Sequence, residues 1–394
     1  MRVTEPFATS LRRGLPLVWA TGAGDDLTAL LGWGEVFRVS AQGPRRFTEL
    51  DAAFSAWAAT LPAGSNPVAF ATVAFADVSA ATSVLVVPAL VGRWTNGVLV
   101  AEPQGAGAVL PDPTEPCEFE ELDLLPGRLT RQSYRNAVAA AIERITAGEV
   151  EKVVLARDLV ASSPDPLDVP ALLARLQQAN TASWTFHVDG MVGSSPEMLI
   201  ATQGSAVRSQ VLAGSAPVAG DLHADDVTAT RLAASAKDHA EHAYAARSVA
   251  ERLASVAEVT TRDPEVKRLT RIMHLATDIT GTLREPRSAL GLAGLVHPSA
   301  AVCGTPTDVA FRVIAELEGF DRGRYAGPVG WVDAAGDGEF VIALRCGQVD
   351  PDGTSIRLFA GGGIVAGSVP SDELAETARK FLPMYEALSP VDRP

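Results

Sequence analysis

The chain has 394 residues, 47% of them apolar, enough for a substantial core in one large domain or two ordinary ones. A formal charge of −14 and a pI near 4.9 argue against nucleic acid or an anionic membrane as partner, so an anionic ligand would need a locally cationic or metal-bearing pocket. Cys117, Cys303 and Cys346 are odd in number and lack Cys-x-x-Cys spacing, which indicates neither a disulfide framework nor a zinc site and fits a reducing, cytoplasmic compartment.

The first 22 residues hold no continuous apolar core of signal-peptide length, and the longest apolar run, near 84–92, is too short to span a bilayer. A soluble protein is expected. Residues 46–61 read as an amphipathic helix and 68–75 and 83–87 as strands, while Asn96-Gly97 joins 90–94 to 98–101 in a hairpin. This half shows no chemical constellation. At 111–127, prolines combine with an acidic run, which places a boundary between 1–127 and 128–394.

Beyond it, Tyr134, Val138, Ile142 and Ile145 recur at helical spacing, and 152–160 reads as a strand. A helix near 169–178 precedes strands at 183–188, 193–202 and 206–213. Residues 225–256 are helical, as two helices if Ser235 and Asp238 form a capping pair. A β-like stretch at 269–283 follows, and Thr305-Pro-Thr-Asp308 opens a helix with a cap and a proline at its first position. The end is a meander: 327–334, 339–349 and 355–366, joined by Gly-Asp-Gly and Asp-Pro-Asp-Gly turns. Hairpins dominate, so the expected class is α+β, a largely antiparallel sheet covered by helices.

The last stretch carries the most chemistry. Gly361, Gly362 and Gly363 let backbone N–H groups approach a ligand, and Pro370 with Ser368 or Ser371 supplies a helix start. Glu373 and Glu376 then share a helical face, with Lys380 one turn further on. Two such carboxylates suit Mg²⁺, which keeps waters and leaves room for an anionic substrate, although a solvated charged face would look similar.

Other charged residues interrupt apolar strands. Lys152 sits either at a solvent edge or in a pocket, where a neutral amine could act as a base. Glu197, after Pro196, is either an edge or bulge residue or an acid. Glu241 lies in a charged helical stretch, and His274 alternates with Ile272 and Ala276 on a strand face. Arg345 shares a face with Val341 and Ala343, and a guanidinium buried there needs an anion, structural or substrate.

In order along the chain stand Lys152-Val-Val-Leu-Ala-Arg157, Ser195-Pro-Glu197, Leu212-Ala-Gly-Ser-Ala216, Ser235-x-Lys-Asp-x-x-Glu-His242, His274-Leu-Ala-Thr277, His297-Pro298 and Gly304-x-Pro306. Ile314-Ala-Glu-Leu-Glu318, Tyr325-Ala-Gly-Pro-Val-Gly-Trp331, Gly338-Glu339, Leu344-Arg-Cys346, Phe359-Ala-Gly-Gly-Gly-Ile364 and the Glu373/Glu376/Lys380 helix complete the series. Over roughly 130–385 this series resembles the chorismate-utilising enzymes, and among their branches the isochorismate-forming one. The N-terminal half matches only weakly.

The resemblance implies one merged α+β unit, two largely antiparallel sheets packed face to face with helices outside, in which 111–127 is a surface loop. It implies that Glu241 and Glu376, with Glu373 directly or through water, bind Mg²⁺, which holds the ring carboxylate of chorismate together with Gly214, Ser215 and Lys380. Arg345, Tyr325 and the backbone at Gly361, Gly362 and Gly363 would grip the enolpyruvyl carboxylate, with His274 beside the ring and Ala301 lining the pocket. Lys152 would activate water for attack at C2, and Glu197 would protonate the leaving C4 hydroxyl.

Ammonia-using relatives, the anthranilate and aminodeoxychorismate synthases, commonly carry threonine in place of Ser215 and Ala301, and salicylate synthases read Ala-Gly-Thr-Arg against Ala-Gly-Ser-Ala here. Tyr325 points the other way, since tyrosine is found there in salicylate synthases. Retention of Lys152, Glu197 and the three glutamates speaks against a non-enzymatic scaffold. A monomer with no glutaminase subunit is expected.

Overall fold

The computed structural model describes residues 1–116 and 122–389, and its strands form two antiparallel sheets. The first sheet has twelve strands. It runs Arg2–Thr4, Val98–Pro103, Leu90–Thr95, Thr28–Trp33, Leu17–Thr21, Trp184–Val188, Met191–Ser195, Cys346–Val349, Ser355–Ile364, Lys152–Ser162 and Gly304–Thr305, with Leu125–Pro126 also paired to Lys152–Ser162. The second, of ten strands, runs Ala257–Thr261, Ile272–Leu283, Ala206–Pro217, Met198–Gln203, Gly338–Ile342, Pro328–Asp333, Val68–Thr72, Ser83–Val87 and Phe37–Ala41, with Glu265–Arg268 beside Ile272–Leu283.

Strands from before and after residue 127 therefore share both sheets. One apolar core joins Trp19, Phe70, Tyr134, Phe186, Ile200 and Phe340 from both parts of the chain. The short strands Val68–Thr72 and Ser83–Val87 are buried along their whole length and nearly all-apolar, as strands covered on both faces are. Arg131–Thr146 shows how a covering helix is specified. Tyr134, Ala137, Val138 and Ala141 form its buried stripe, and the Thr130 hydroxyl accepts from the Ser133 N–H at 3.1 Å to cap it. Among the described residues no helix is long and apolar enough to cross a membrane.

Several expected elements stand where the pattern puts them. Asn96 and Gly97 both have positive φ (50° and 76°), the turn that pairs Leu90–Thr95 with Val98–Pro103. Ser235 separates Leu222–Ala234 from Ala236–Ala254 and accepts from the Asp238 N–H at 3.3 Å.

Others differ for physical reasons. The stretch 193–202 is two strands, Met191–Ser195 in the first sheet and Met198–Gln203 in the second, because Pro196 cannot continue the ladder. Likewise 339–349 splits into Gly338–Ile342 and Cys346–Val349 on different sheets, and Arg345 takes φ 47° between them instead of sharing a strand face with Val341 and Ala343. Thr305 pairs with Lys152 as a strand residue, so Pro306 is the N-cap of Thr307–Glu318, not its first helical residue, and no side chain caps it. The helix Pro370–Leu388 also lacks a side-chain cap, because its N-cap is Val369, while the neighbouring Ser368 hydroxyl accepts from the Val365 N–H. Part of the acidic 111–127 stretch, including Cys117, lies outside the described residues.

Candidate active site

A cavity opens between the two sheets where strands change partners. It is lined by Glu197, Gly214, Ser215, Glu241, His274, Ala301, Tyr325, Arg345, Lys380 and the backbone of Gly361–Gly363. Most of the candidate residues are thus brought together from segments far apart in sequence. Lys152, Glu373 and Glu376 are not on its wall. They lie directly behind the glycines, where a methyl group built on Gly363 would meet Lys152 Cε at 3.0 Å and one on Gly362 would meet Glu373 Oε2 at 3.1 Å and Glu376 Oε1 at 3.7 Å.

Glu197 occupies the link between Met191–Ser195 and Met198–Gln203 and is buried. Its Oε1 accepts from the Leu212 N–H at 3.3 Å. Burial pushes its carboxyl up to about 7, against the opposing pull of that hydrogen bond and of Arg345, Lys152 and Lys380. The carboxyl keeps its proton well into the neutral range.

Opposite it, Gly214 (φ 72°) forms a bulge where Ala206–Pro217 loses register against Ile272–Leu283. A Cβ there would approach Asp238 Cβ to 2.9 Å, so only glycine lets the strand pass the helix. The bulge turns the Ser215 hydroxyl to His274 Nδ1 at 3.0 Å. Burial, then the charges of Arg345 and Lys380, hold His274 well below the usual imidazole range, so the ring is neutral, and its buried Nε2 has no hydrogen-bond partner.

On the next wall, Tyr325 stacks on Phe359 with ring centroids 4.9 Å apart and planes 10° from parallel. Burial raises its hydroxyl pKa and lowers that of the Arg345 guanidinium. An arginine so placed has strong need of an anion.

At and behind the glycines, three carboxylates each meet a lysine. Lys152 Nζ, fully buried and without a hydrogen-bond partner, lies 3.4 Å from Glu241 Oε1. Lys237 Nζ lies 3.4 Å from Glu373 Oε1, and Lys380 Nζ lies 2.6 Å from Glu376 Oε1 while donating to the Gly361 carbonyl at 2.8 Å. Burial and the neighbouring Glu376 raise the Glu373 pKa. Burial also opposes ionisation of Glu376, but Lys380 outweighs it and the pKa is lowered.

An all-carboxylate donor set facing bare glycine backbone fits a hard, oxygen-seeking divalent cation. Among the described residues no three such side chains already close a ligand set, because each glutamate is drawn to its lysine. A methyl on Gly363 would sit 2.1 Å from Glu241 Oε1, so the missing Cβ is what leaves that carboxylate its place.

Sequence reasoning missed three contributors. Lys237 stands in the quoted helical motif, and its spacing of four from Glu241 was the available signal. Arg322 lines the cavity floor and donates to the carbonyls of Val302 (2.9 Å) and Val154 (2.7 Å), paired to the buried Glu318. His242 bridges the Ala213 carbonyl (3.2 Å) and the Thr277 hydroxyl (2.7 Å), fixing the approach to the bulge; burial takes its pKa down to about 4. Gly363 was expected to offer its backbone to the ligand; its closeness to Glu241 appears only in the fold.

The family model for chorismate binding enzymes matches residues 113–389. Isochorismate synthase DhbC of Bacillus subtilis is 41% identical over 271 residues, 65% of this chain and 68% of that protein. A putative isochorismate synthase MenF of Mycobacterium tuberculosis is 41% identical over 66% of this chain and 72% of its own. Among solved structures, the putative 2,3-dihydroxybenzoate-specific isochorismate synthase DhbC of Bacillus anthracis superposes with a TM-score of 0.80 at 32% identity, covering 94% of this chain and 96% of that one. The menaquinone-specific isochorismate synthase MenF of Escherichia coli shares the fold with a TM-score of 0.81 at 23% identity, over 99% of this chain and 94% of that one. The chain belongs to the chorismate-binding enzymes, and its similarity within them is to the isochorismate synthases.

Proposed function

We propose that this enzyme is a Mg²⁺-dependent isochorismate synthase, which interconverts chorismate and isochorismate by adding water at C2 and expelling the C4 hydroxyl. The observation that carries this reading is the company of Glu197, a cavity-lining carboxyl that keeps its proton to about pH 7, and Lys152, a fully buried amine directly behind Gly363 of the same cavity, in a chain 41% identical to an isochorismate synthase. Lys152 takes the proton of the attacking water and Glu197 gives one to the departing hydroxyl. Atoms balance, since one water enters and one leaves.

Glu241, Glu373 and Glu376 would hold Mg²⁺, which when bound offers a positive site for the ring carboxylate. Gly214, Ser215 and Lys380 bind that carboxylate. Arg345, Tyr325 and the Gly361–Gly362 backbone bind the enolpyruvyl carboxylate, while His274 and Ala301 shape the wall beside the ring. The neutral His274 adds no charge there and offers a free Nε2.

With water as nucleophile no ammonia donor is needed, so the reading includes a cytoplasmic monomer without a glutaminase subunit, residues 1–127 and 128–394 acting as one unit. The test is product chromatography after incubating purified protein with chorismate and Mg²⁺, with and without chelator and ammonium salts. Isochorismate that disappears with chelator and returns with Mg²⁺ supports the reading. Salicylate as the main product, or an ammonium-dependent aromatic amine, overturns it.

A further inference from the structure

The three lysines that meet the glutamates are held very differently. Lys152 is enclosed by protein on every side. Lys380 is fixed from two directions, by Glu376 and by the Gly361 carbonyl. Lys237 reaches Glu373 Oε1 at 3.4 Å, yet 42% of its side chain is exposed, whereas that of Glu373 is only 4% exposed. Lys237 leaves the helix Ala236–Ala254 one turn before Glu241, and its half-exposed side chain reaches the buried Glu373. Its Cγ and Cδ pass 4.0 Å from where a side chain on Gly367 would begin, so that residue offers nothing to pin the stem.

Charge gives this arrangement a purpose. Glu373 is buried next to Glu376 and Glu241, and like charges so close cannot all remain ionised without a cation. We infer that Lys237 is a displaceable counter-ion: it neutralises Glu373 while no metal is bound and swings into solvent when a divalent cation takes its place. This rests on the Mg²⁺ reading above. Lys152 and Lys380 stay, because Lys152 is fully buried and Lys380, 12% exposed, is also held by the Gly361 carbonyl. Lys237 therefore keeps the metal-free pocket intact and weakens the metal's hold by competing for one ligand.

The test is calorimetric titration of Mg²⁺, without chorismate, into the full-length protein and its Lys237→Gln variant, with thermal unfolding of each with and without Mg²⁺. An ion pair of this exposure is worth up to about a fivefold change in an equilibrium constant, so the variant binds Mg²⁺ about two- to fivefold more tightly. Metal-free, it melts below the parent, and it gains more on adding Mg²⁺. A Mn²⁺-loaded crystal of the unaltered protein gives an independent readout, with Lys237 Nζ farther than about 4 Å from Glu373. Equal or weaker Mg²⁺ affinity in Lys237→Gln, or a Mn²⁺-bound structure with Nζ still on Glu373, overturns the proposal. Absence of Mg²⁺ binding by both proteins is a different result. It removes the metal reading itself, and this inference with it.

Discussion

Lys152 Nζ lies 3.4 Å from Glu241 Oε1, so the proposed base and a proposed metal ligand share one buried contact behind Gly363. The two come from different elements, the strand Lys152–Ser162 and the helix Ala236–Ala254. Removing the amine alone leaves the carboxylate free to hold the metal, which separates catalysis from binding. Lys152→Ala is expected to lower kcat on the order of 10²-fold or more, with KM for chorismate and the Mg²⁺ requirement little changed. Steady-state kinetics over a range of Mg²⁺ concentrations measure this. Near-normal kcat removes Lys152 from the reaction.

Glu197 gives a prediction with a defined pH window. As the proton donor, with a pKa of about 7 in the free enzyme, it makes kcat/KM for chorismate fall as pH rises through about 7. The same carboxyl affects folding. Its folded value stands above the ordinary carboxyl value of 4.5, so its stability contribution is complete below that value and is lost as pH rises through about 7. Glu197→Gln, which cannot ionise, is expected to be more stable than the parent at pH 8 by roughly 3 kcal/mol relative to their difference at pH 4. Its turnover falls on the order of 10²-fold. Denaturant melts at the two pH values test the stability claim independently of activity.

Gly363 is a sharper probe of the metal pocket than any charged residue. Its missing Cβ would lie 2.1 Å from Glu241 Oε1 and 3.0 Å from Lys152 Cε. Gly363→Ala must push the carboxylate aside, a displacement of the size that costs on the order of 10²-fold in rate. Overpacking costs about 1–3 kcal/mol of stability. The expected result is a folded protein with weakened Mg²⁺ binding and low activity, read by titration and circular dichroism. Unchanged Mg²⁺ affinity counts against the placement of Glu241 at the metal.

Arg322 and Glu318 form a buried pair at 2.5 Å beneath the cavity, with Arg322 also over the Phe75 ring at 4.5 Å from its centroid. Arg322→Met leaves the Glu318 carboxylate buried without its partner, at a cost of about 3–5 kcal/mol. The double variant Glu318→Gln/Arg322→Met is expected to recover part of that loss. Urea unfolding of the parent, both single variants and the double variant closes the cycle.

What the sequence shows plainly is local. Asn96-Gly97 and the Tyr134 stripe encode their hairpin and helix in adjacent residues, and Ser235 its cap. Pairing between distant strands is not written that way. The pattern at 152–160 marks a strand, but nothing nearby says that Lys152–Ser162 lies against Ser355–Ile364. Changes of sheet at Pro196 and near Arg345 were also hidden, because an apolar run looks the same whether it stays in one sheet or crosses to another. The early strands Leu17–Thr21 and Thr28–Trp33 drew no expectation, their alternation being blurred by burial on both faces. For the candidate site, charged heads in apolar strands and glycines beside carboxylates were visible from spacing and resemblance. Lys237 looked like any helical lysine until the fold set Glu373 beside it.

Two short links, Pro196-Glu197 and Ala343-Leu344-Arg345, each carry a charge and also pass the chain from one sheet to the other. Every strand residue beyond a link faces the side that the link's length dictates, so adding or deleting one residue there would turn Met198–Gln203 or Cys346–Val349 inside out. Insertions and deletions are therefore barred at these two points by packing, before any question of chemistry arises. Homologous chains can vary in length freely at exposed surface turns such as Asp350–Gly353, but substitution is the only route by which the links themselves can change.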